Sequence, residues 1–160
     1  MSQDFYNTMI LPYAAIIIKI CRAYTDSEED FEDYYQEVCL QIWSSRERFR
    51  NDASWSTFLY RIALNVCLTL LKKKSLTRRA YAVDDTSAGQ VSNEAFQDEQ
   101  VQILYAAIKR LKEVDRALIL LYLEEHKYEE IATITGMSAS NVAVRILRIK
   151  KKLKEIINHE

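Results

Sequence analysis

With 160 residues and a formal net charge of −1, the chain has room for one medium domain or two small ones, and any attraction for phosphate must be local. Two glycines and one proline leave long segments without breakers, and Ala, Leu, Ile, Glu and Lys dominate, so a nearly all-helical fold is expected. Three cysteines, Cys21, Cys39 and Cys67, sit in separate apolar stretches and only two histidines accompany them. No metal-ligand spacing results, which points to buried thiols in a reducing compartment and to no metal or other cofactor. No basic leader opens the chain, and the apolar run over residues 14–18 falls far short of the roughly 20 residues that cross a bilayer. A cytoplasmic protein without stable membrane insertion is expected.

Charge divides the chain in three. Residues 1–74 carry nine basic and ten acidic side chains, 75–100 two and five, and 101–160 eleven and eight. The middle piece is rich in Ser, Thr, Asp, Asn and Gly and has little periodicity, as a flexible acidic linker would. Its acidity reads as solvation, or as a shield for the basic end. The expected architecture is therefore all-α, with an N-terminal helical domain (1–74), a linker (75–100) and a C-terminal four-helix domain (101–160).

A first helix is expected over about residues 4–24, with Ile10, Ala14, Ile17 and Cys21 inward and Pro12 imposing a kink or a later start. Asp26 or Ser27 can cap a second helix, whose Phe31, Tyr35, Val38 and Ile42 recur at helical spacing. Ser54 can cap a third, carrying Phe58, Ile62, Val66 and Leu70 and ending in Lys72–Lys73–Lys74. After the linker, Val101, Leu104, Ile108 and Leu111 mark one helix and Leu118, Leu121 and Tyr122 another. A helix-turn-helix follows: Tyr128, Ile131 and Ile134, a turn at Gly136 plugged by Met137, a cap at Ser138, and Val142, Ile146, Ile149 and Leu153 inward.

Residues 138–154 hold six Lys or Arg and no Asp or Glu. If the stripe from Val142 faces inward, Asn141, Arg145, Arg148 and Lys152 share the opposite face. Asn reads adenine and Arg reads guanine bidentately, which assigns Asn141 and Arg145 to base edges and Arg148 and Lys152 to the backbone. Ser138 and Ser140, at the helix N-terminus, suit a phosphate. An ordinary solvated face is the alternative, weakened by the company of the turn glycine and the cap. On the second helix, Asp30, Asp33 and Glu37 with Gln36 form a carboxylate-rich face suited to a basic protein surface or merely solvated. A hydrolytic metal site would need histidines at matching spacing. Trp55, Phe58, Tyr60 and Arg61 adjoin the polar loop FRNDAS; rings beside cations suit unstacked single strands, or simply a core, with Phe58 partly core. The loop Phe49–Arg50–Asn51–Asp52 has polar groups available to grip a flipped base. No nucleophile–base pair and no glycine-rich phosphate loop appears, so the protein is not expected to be an enzyme.

Together these pieces resemble the extracytoplasmic-function (ECF) group of bacterial sigma factors in the sigma-70 superfamily. The resemblance rests on residues 30–74, with DFEDYYQEVCLQIW and RFRNDASWSTFLYRIA, and on residues 111–156, with the KYEEIATITG helix-turn-helix. It implies that Asp33, Gln36 and Glu37 dock on the clamp helices of core RNA polymerase. It places Phe49, Asn51, Asp52 and Ser54 around a captured non-template base, with Trp55, Tyr60, Arg61 and Asn65 along the adjoining single strands. The second domain would hold duplex promoter DNA through Ser138, Ser140, Asn141, Val144, Arg145, Arg148 and Lys152. Recognition of −10 and −35 type promoter elements and strand opening driven by binding follow, and an anti-sigma partner wedged between the domains is compatible with the linker. The pattern departs from the family at Leu64, where a basic residue is common, near Thr69, where an acidic one is common, and at Ala143 and Val144, where Lys–Ser or similar is common. Val144 then offers an apolar contact to a thymine methyl. No extra C-terminal domain is expected. Two other accounts compete: a helix-turn-helix regulator that binds duplex operator without polymerase, and a helical adaptor with no DNA role.

Overall fold

Pro12 shapes the start of the chain. Having no N–H and a ring that crowds the preceding turn, it cannot continue a regular helix. The computed structural model, which describes residues 1–81 and 98–159, accordingly shows a broken entry instead of one helix over 4–24. A single turn, α1 (Gln3–Phe5), opens into a wide π turn over Tyr6–Ile10 and then a tight 3-10 turn over Leu11–Tyr13. Regular helix resumes only with α2 (Ala14–Ala23). The expected inward stripe survives the break: Ile10, Ala14, Ile17 and Cys21 are all buried.

Ser27 caps α3 (Glu28–Ser45), its hydroxyl accepting from the Asp30 N–H at 3.1 Å, with Glu28, Glu29 and Asp30 in the first turn. A 3-10 turn, Arg46–Arg48, leads to the loop before α4 (Trp55–Tyr81). Both long helices are rolled relative to the sequence reading. On α3 the buried residues are Tyr34, Val38, Cys39 and Ile42, with Phe31 and Tyr35 half-buried. On α4 they are Leu59, Tyr60, Ala63, Leu64 and Cys67, while Phe58, Ile62, Val66 and Leu70 lie half-buried at the flank. Apolar residues occupy adjacent positions along α4 (58/59, 62/63, 66/67), so helical spacing fits two neighbouring stripes equally well and only the partners choose between them.

The lysine triplet does not end α4. No Gly or Pro occurs between 75 and 81, and the helix continues to Tyr81, with Lys74 Nζ bound to Asp30 at 2.6 Å. Nine residues assigned to the linker, 75–81 and 99–100, are therefore helical, while 82–97, with three of its five acids, lie outside the described residues. The chain divides into two units, Met1–Ser92 and Asn93–Glu160.

The second unit packs α5 (Glu99–Ile108), α6 (Glu113–Leu123) and α7 (Tyr128–Thr135) around α8 (Ala139–Asn158). Gly136 ends α7 at φ 80°, its N–H donating to the Ala132 carbonyl at 2.8 Å; only glycine adopts that left-handed cap without strain. The inward stripe of α8 is as expected, with Val142, Ile146, Ile149 and Leu153 buried, as are Leu118 and Leu121 of α6 and Ile131 and Ile134 of α7, the helices that pack on it. The fold is all-α, and among the described residues no helix is long and apolar enough to cross a membrane.

The three cysteines, dispersed in sequence, share the core of the first unit as free thiols. Cys67 Sγ donates to Cys21 Sγ at 3.9 Å. Burial pushes Cys39 up to about 11; the hydrogen bond to Cys21 and burial hold Cys67 well above its usual range. Thiolate, the reactive form, is thereby suppressed. A water-soluble disulfide reagent such as DTNB should label none of the three in the folded protein and all three after unfolding in guanidinium chloride, as read by absorbance.

Candidate functional surfaces

The first surface lies on α3. Asp33 and Gln36 are exposed and Glu37 partly so, and their spacing keeps them on one side of the helix. They border a shallow hollow of about 380 Å³ whose other walls are Asp30, Tyr34, Leu40 and Leu70. Lys74 offsets the charge of Asp30, so Asp33 and Glu37 dominate the field here. Burial, and then the nearby thiol and carboxylates, push Tyr34 up to about 12, leaving its hydroxyl neutral. Leu40, half exposed among the acids, is the residue that sequence reasoning passed over. Its signal was a large apolar side chain off the inward stripe.

The second surface is the loop that enters α4. Asn51 takes φ 59°, a left-handed conformation that Asn tolerates better than most residues. Ser54 caps α4, its Oγ accepting from the Thr57 N–H at 3.2 Å and lying 2.9 Å from the Thr57 hydroxyl. Asn51, Asp52 and Ser54 are exposed. Phe49 and Trp55, at the two ends of the loop, meet edge to face at 5.1 Å, and both pack on Phe58, at 5.4 and 5.2 Å. Phe58 thus belongs to a half-buried ring cluster. Arg61 and Asn65 are exposed one turn apart on α4, whereas Tyr60 is only 9% exposed and turns its ring inward.

The third surface is α8. The Ser138 hydroxyl accepts from the Asn141 N–H at 3.2 Å and lies 3.4 Å from Ser140 Oγ, so both serines stand at the helix N-terminus. Asn141, Val144, Arg148 and Lys152 are exposed along one side. Arg145 is turned aside: one guanidinium nitrogen donates to Asp115 of α6 at 3.1 Å. Arg145 and Asp115 join Lys112, Arg148 and Lys152 around a hollow of about 210 Å³ with four cations and one carboxylate. Lys150 leaves this face altogether, its ammonium 4.1 Å from the centre of the Tyr122 ring, whose hydrogen bond raises the lysine above its usual range. Two residues here escaped the sequence reading. Lys112 begins another helix and gives no local signal, but Leu147, 64% exposed and one turn from Val144, stood visibly off the buried stripe.

Comparison with known proteins decides the family. A model of sigma-70 region 2 matches residues 9–77, and a model of sigma-70 region 4 matches residues 101–153. The chain belongs to the sigma-70 superfamily, in its ECF group. Region 2 takes in α2 to α4 and region 4 takes in α5 to α8. Among curated relatives, the ECF RNA polymerase sigma-E factor of Escherichia coli K12 is 27% identical over 164 residues, covering 94% of this chain and 85% of that protein. RNA polymerase sigma factor SigV of Bacillus subtilis is 26% identical, covering 95% and 83%. Two solved structures share the fold. The sigma factor RpoE of Bartonella quintana, in complex with the anti-sigma factor NepR, gives a TM-score of 0.70 at 20% identity and covers 98% of each chain. CnrH, in complex with the cytosolic domain of CnrY, gives 0.72 at 19% identity and covers 99% of this chain and 91% of that one. Sigma factors are not enzymes, in keeping with the sequence reading.

Region 4 presents its surface from a helix whose first turn hangs on Ser138. Ser138→Ala should destabilise that unit by about 1 kcal/mol, read as a lower urea midpoint at unchanged slope.

Proposed function

We propose that the chain is a promoter-specificity subunit that docks on core RNA polymerase through Asp33, Gln36 and Glu37 of α3. It opens a −10 type element with Phe49, Asn51, Asp52, Ser54 and the start of α4, where Trp55, Arg61 and Asn65 accompany the separated strands and the inward Tyr60 supports them from the core. It holds a −35 type element in duplex form with Ser138, Ser140, Asn141, Val144, Arg145, Arg148 and Lys152. The observation that carries the reading is the pairing, in one sigma-70 chain, of an acidic helix face on region 2 with a basic helix on region 4 that holds no acid before Glu155. Acids repel DNA and suit a basic protein partner; cations do the reverse.

Strand opening draws on binding energy. A base lifted from the stack costs a few kcal/mol, which ring contacts and polar groups at the capture site offset. Exposed Asn51, Asp52 and Ser54 beside the Phe49–Trp55 pair supply such a combination. On α8, Leu147 and Val144 add apolar contacts that favour thymine methyls, and Lys112 adds a cation for the phosphate run beside Arg148. An anti-sigma partner fits the same reading, since RpoE was captured with NepR and CnrH with part of CnrY. Work within the cytoplasm, where polymerase acts, follows.

The deciding experiment mixes purified protein with core RNA polymerase from its host and genomic promoter fragments. Co-elution and promoter-specific starts are expected; duplex binding without core association would favour an operator-binding regulator instead. Reversing both acids, Asp33→Lys with Glu37→Lys, should weaken core affinity by about tenfold or more while leaving the thermal midpoint near wild type. Lys152→Ala should weaken duplex binding to a similar degree across sequences and reduce the salt slope by about 1, measured by titration at several salt concentrations.

A further inference from the structure

The broken entry at Pro12 reaches across region 2 to the promoter-opening loop. Trp55 Nε1 donates to the backbone carbonyl of Met9 at 2.8 Å, a bond spanning 46 residues of sequence. Met9 sits in the π turn, whose wide closure is fixed by the Leu11 N–H donating to the Tyr6 carbonyl. Phe5, one residue before that turn, presents its ring edge-on to Trp55 at 6.3 Å and to Trp43 at 5.0 Å. Tyr6 ties the same turn to α3 through Tyr35, hydroxyl to hydroxyl at 2.8 Å. Trp55 in turn carries Phe49 and Phe58.

We infer that this N-terminal turn is a brace: the Phe5 ring and the Met9 carbonyl set the position of Trp55, and through it the Phe49–Ser54 loop that captures the promoter base. The inference rests on the proposed function and names positioning residues for its strand-opening step. Simple core packing is the competing explanation, and three features weigh against it. Phe5, Met9, Phe49 and Trp55 are all only half-buried, so the cluster is at the rim and not in the core. An indole N–H at a half-exposed site can bond water, so its intramolecular bond adds little net stability and its main effect is directional. Finally, Phe49 and Trp55 stand at the two ends of the loop and touch each other, so the indole bears on both ends of the segment. That segment is otherwise tied by the Phe49–Phe58 ring contact, the Phe49 N–H bond to the Arg46 carbonyl and the Ser54 cap. Grip on an extruded base depends on placement to within about an ångström, and an error of that size costs one to two orders of magnitude in rate.

The test uses the full chain reconstituted with core RNA polymerase, comparing Phe5→Ala, Phe5→Tyr and Trp55→Phe with wild type. Phe5 lies outside the residues proposed to touch DNA, so its replacement reports on placement alone. Three quantities are measured: core affinity, the opening rate on a duplex promoter, and initiation from the same promoter carrying a pre-melted mismatch bubble. The expected result is opening slowed about tenfold by Phe5→Ala and Trp55→Phe, and restored by Phe5→Tyr. For Phe5→Ala, core affinity and initiation from the bubble stay within about twofold of wild type, because only the placement that drives melting is lost. Unchanged opening in both variants overturns the brace while leaving the sigma reading intact. An equal loss on duplex and bubble in Phe5→Ala, or one matched by weaker core binding, also overturns it and returns the cluster to ordinary fold support. Failure of wild type to bind core or open promoters overturns the underlying reading, and the brace with it.

Discussion

Close approach of α2 and α4 at Cys21 and Cys67, whose sulfurs lie 3.9 Å apart, is the constraint on which region 2 is built. Cys21, Ala63 and Cys67 are all fully buried, and their small side chains let the helices approach closely. α3 then packs along α4 through Val38 and Ile42, which are also fully buried. The acidic face and the loop that enters α4 are in this way parts of one rigid block. A larger side chain at any of the small positions would spread the helices and disturb both surfaces together.

Much of region 4 was legible in the sequence because its determinants are local. Gly136 ends one helix through its own backbone, Ser138 starts the next through a bond three residues away, and the Val142–Ile146–Ile149–Leu153 stripe fits a single face. Region 2 was less legible. Apolar residues at paired positions along α4 left its rotation undetermined, and the lysine triplet imitated a helix end that the following residues did not supply. The contacts of Trp55 with Met9, Lys74 with Asp30 and Arg145 with Asp115 join residues 46, 44 and 30 positions apart. Spacing rules act over one or two turns and contain no information about such pairs.

The site residues divide along the same line. Positions exposed simply because they lie opposite a buried stripe, such as Asn141, Arg148 and Lys152, are where periodicity put them. Positions whose direction depends on another element are not. Tyr60 turns into the core, Phe58 joins a rim cluster, and Leu40 emerges among carboxylates.

Arg145 illustrates what the tertiary structure adds to charge counting. Sequence gives six cations in residues 138–154, equivalent as charges. The structure commits Lys150 to the Tyr122 ring and ties Arg145 to Asp115 by one guanidinium nitrogen, while Arg148 and Lys152 remain exposed. An arginine held at one corner keeps its remaining N–H groups in a fixed plane, so it loses less side-chain freedom on meeting a base edge or phosphate than an unrestrained one does. Asp115 also opposes the binding of phosphate close to itself, which favours a contact approaching Arg145 from the side of Arg148 and away from α6. In the proposed reading, the single acid in the basic hollow therefore does not weaken the surface indiscriminately. It orients one cation and steers the phosphate toward the others.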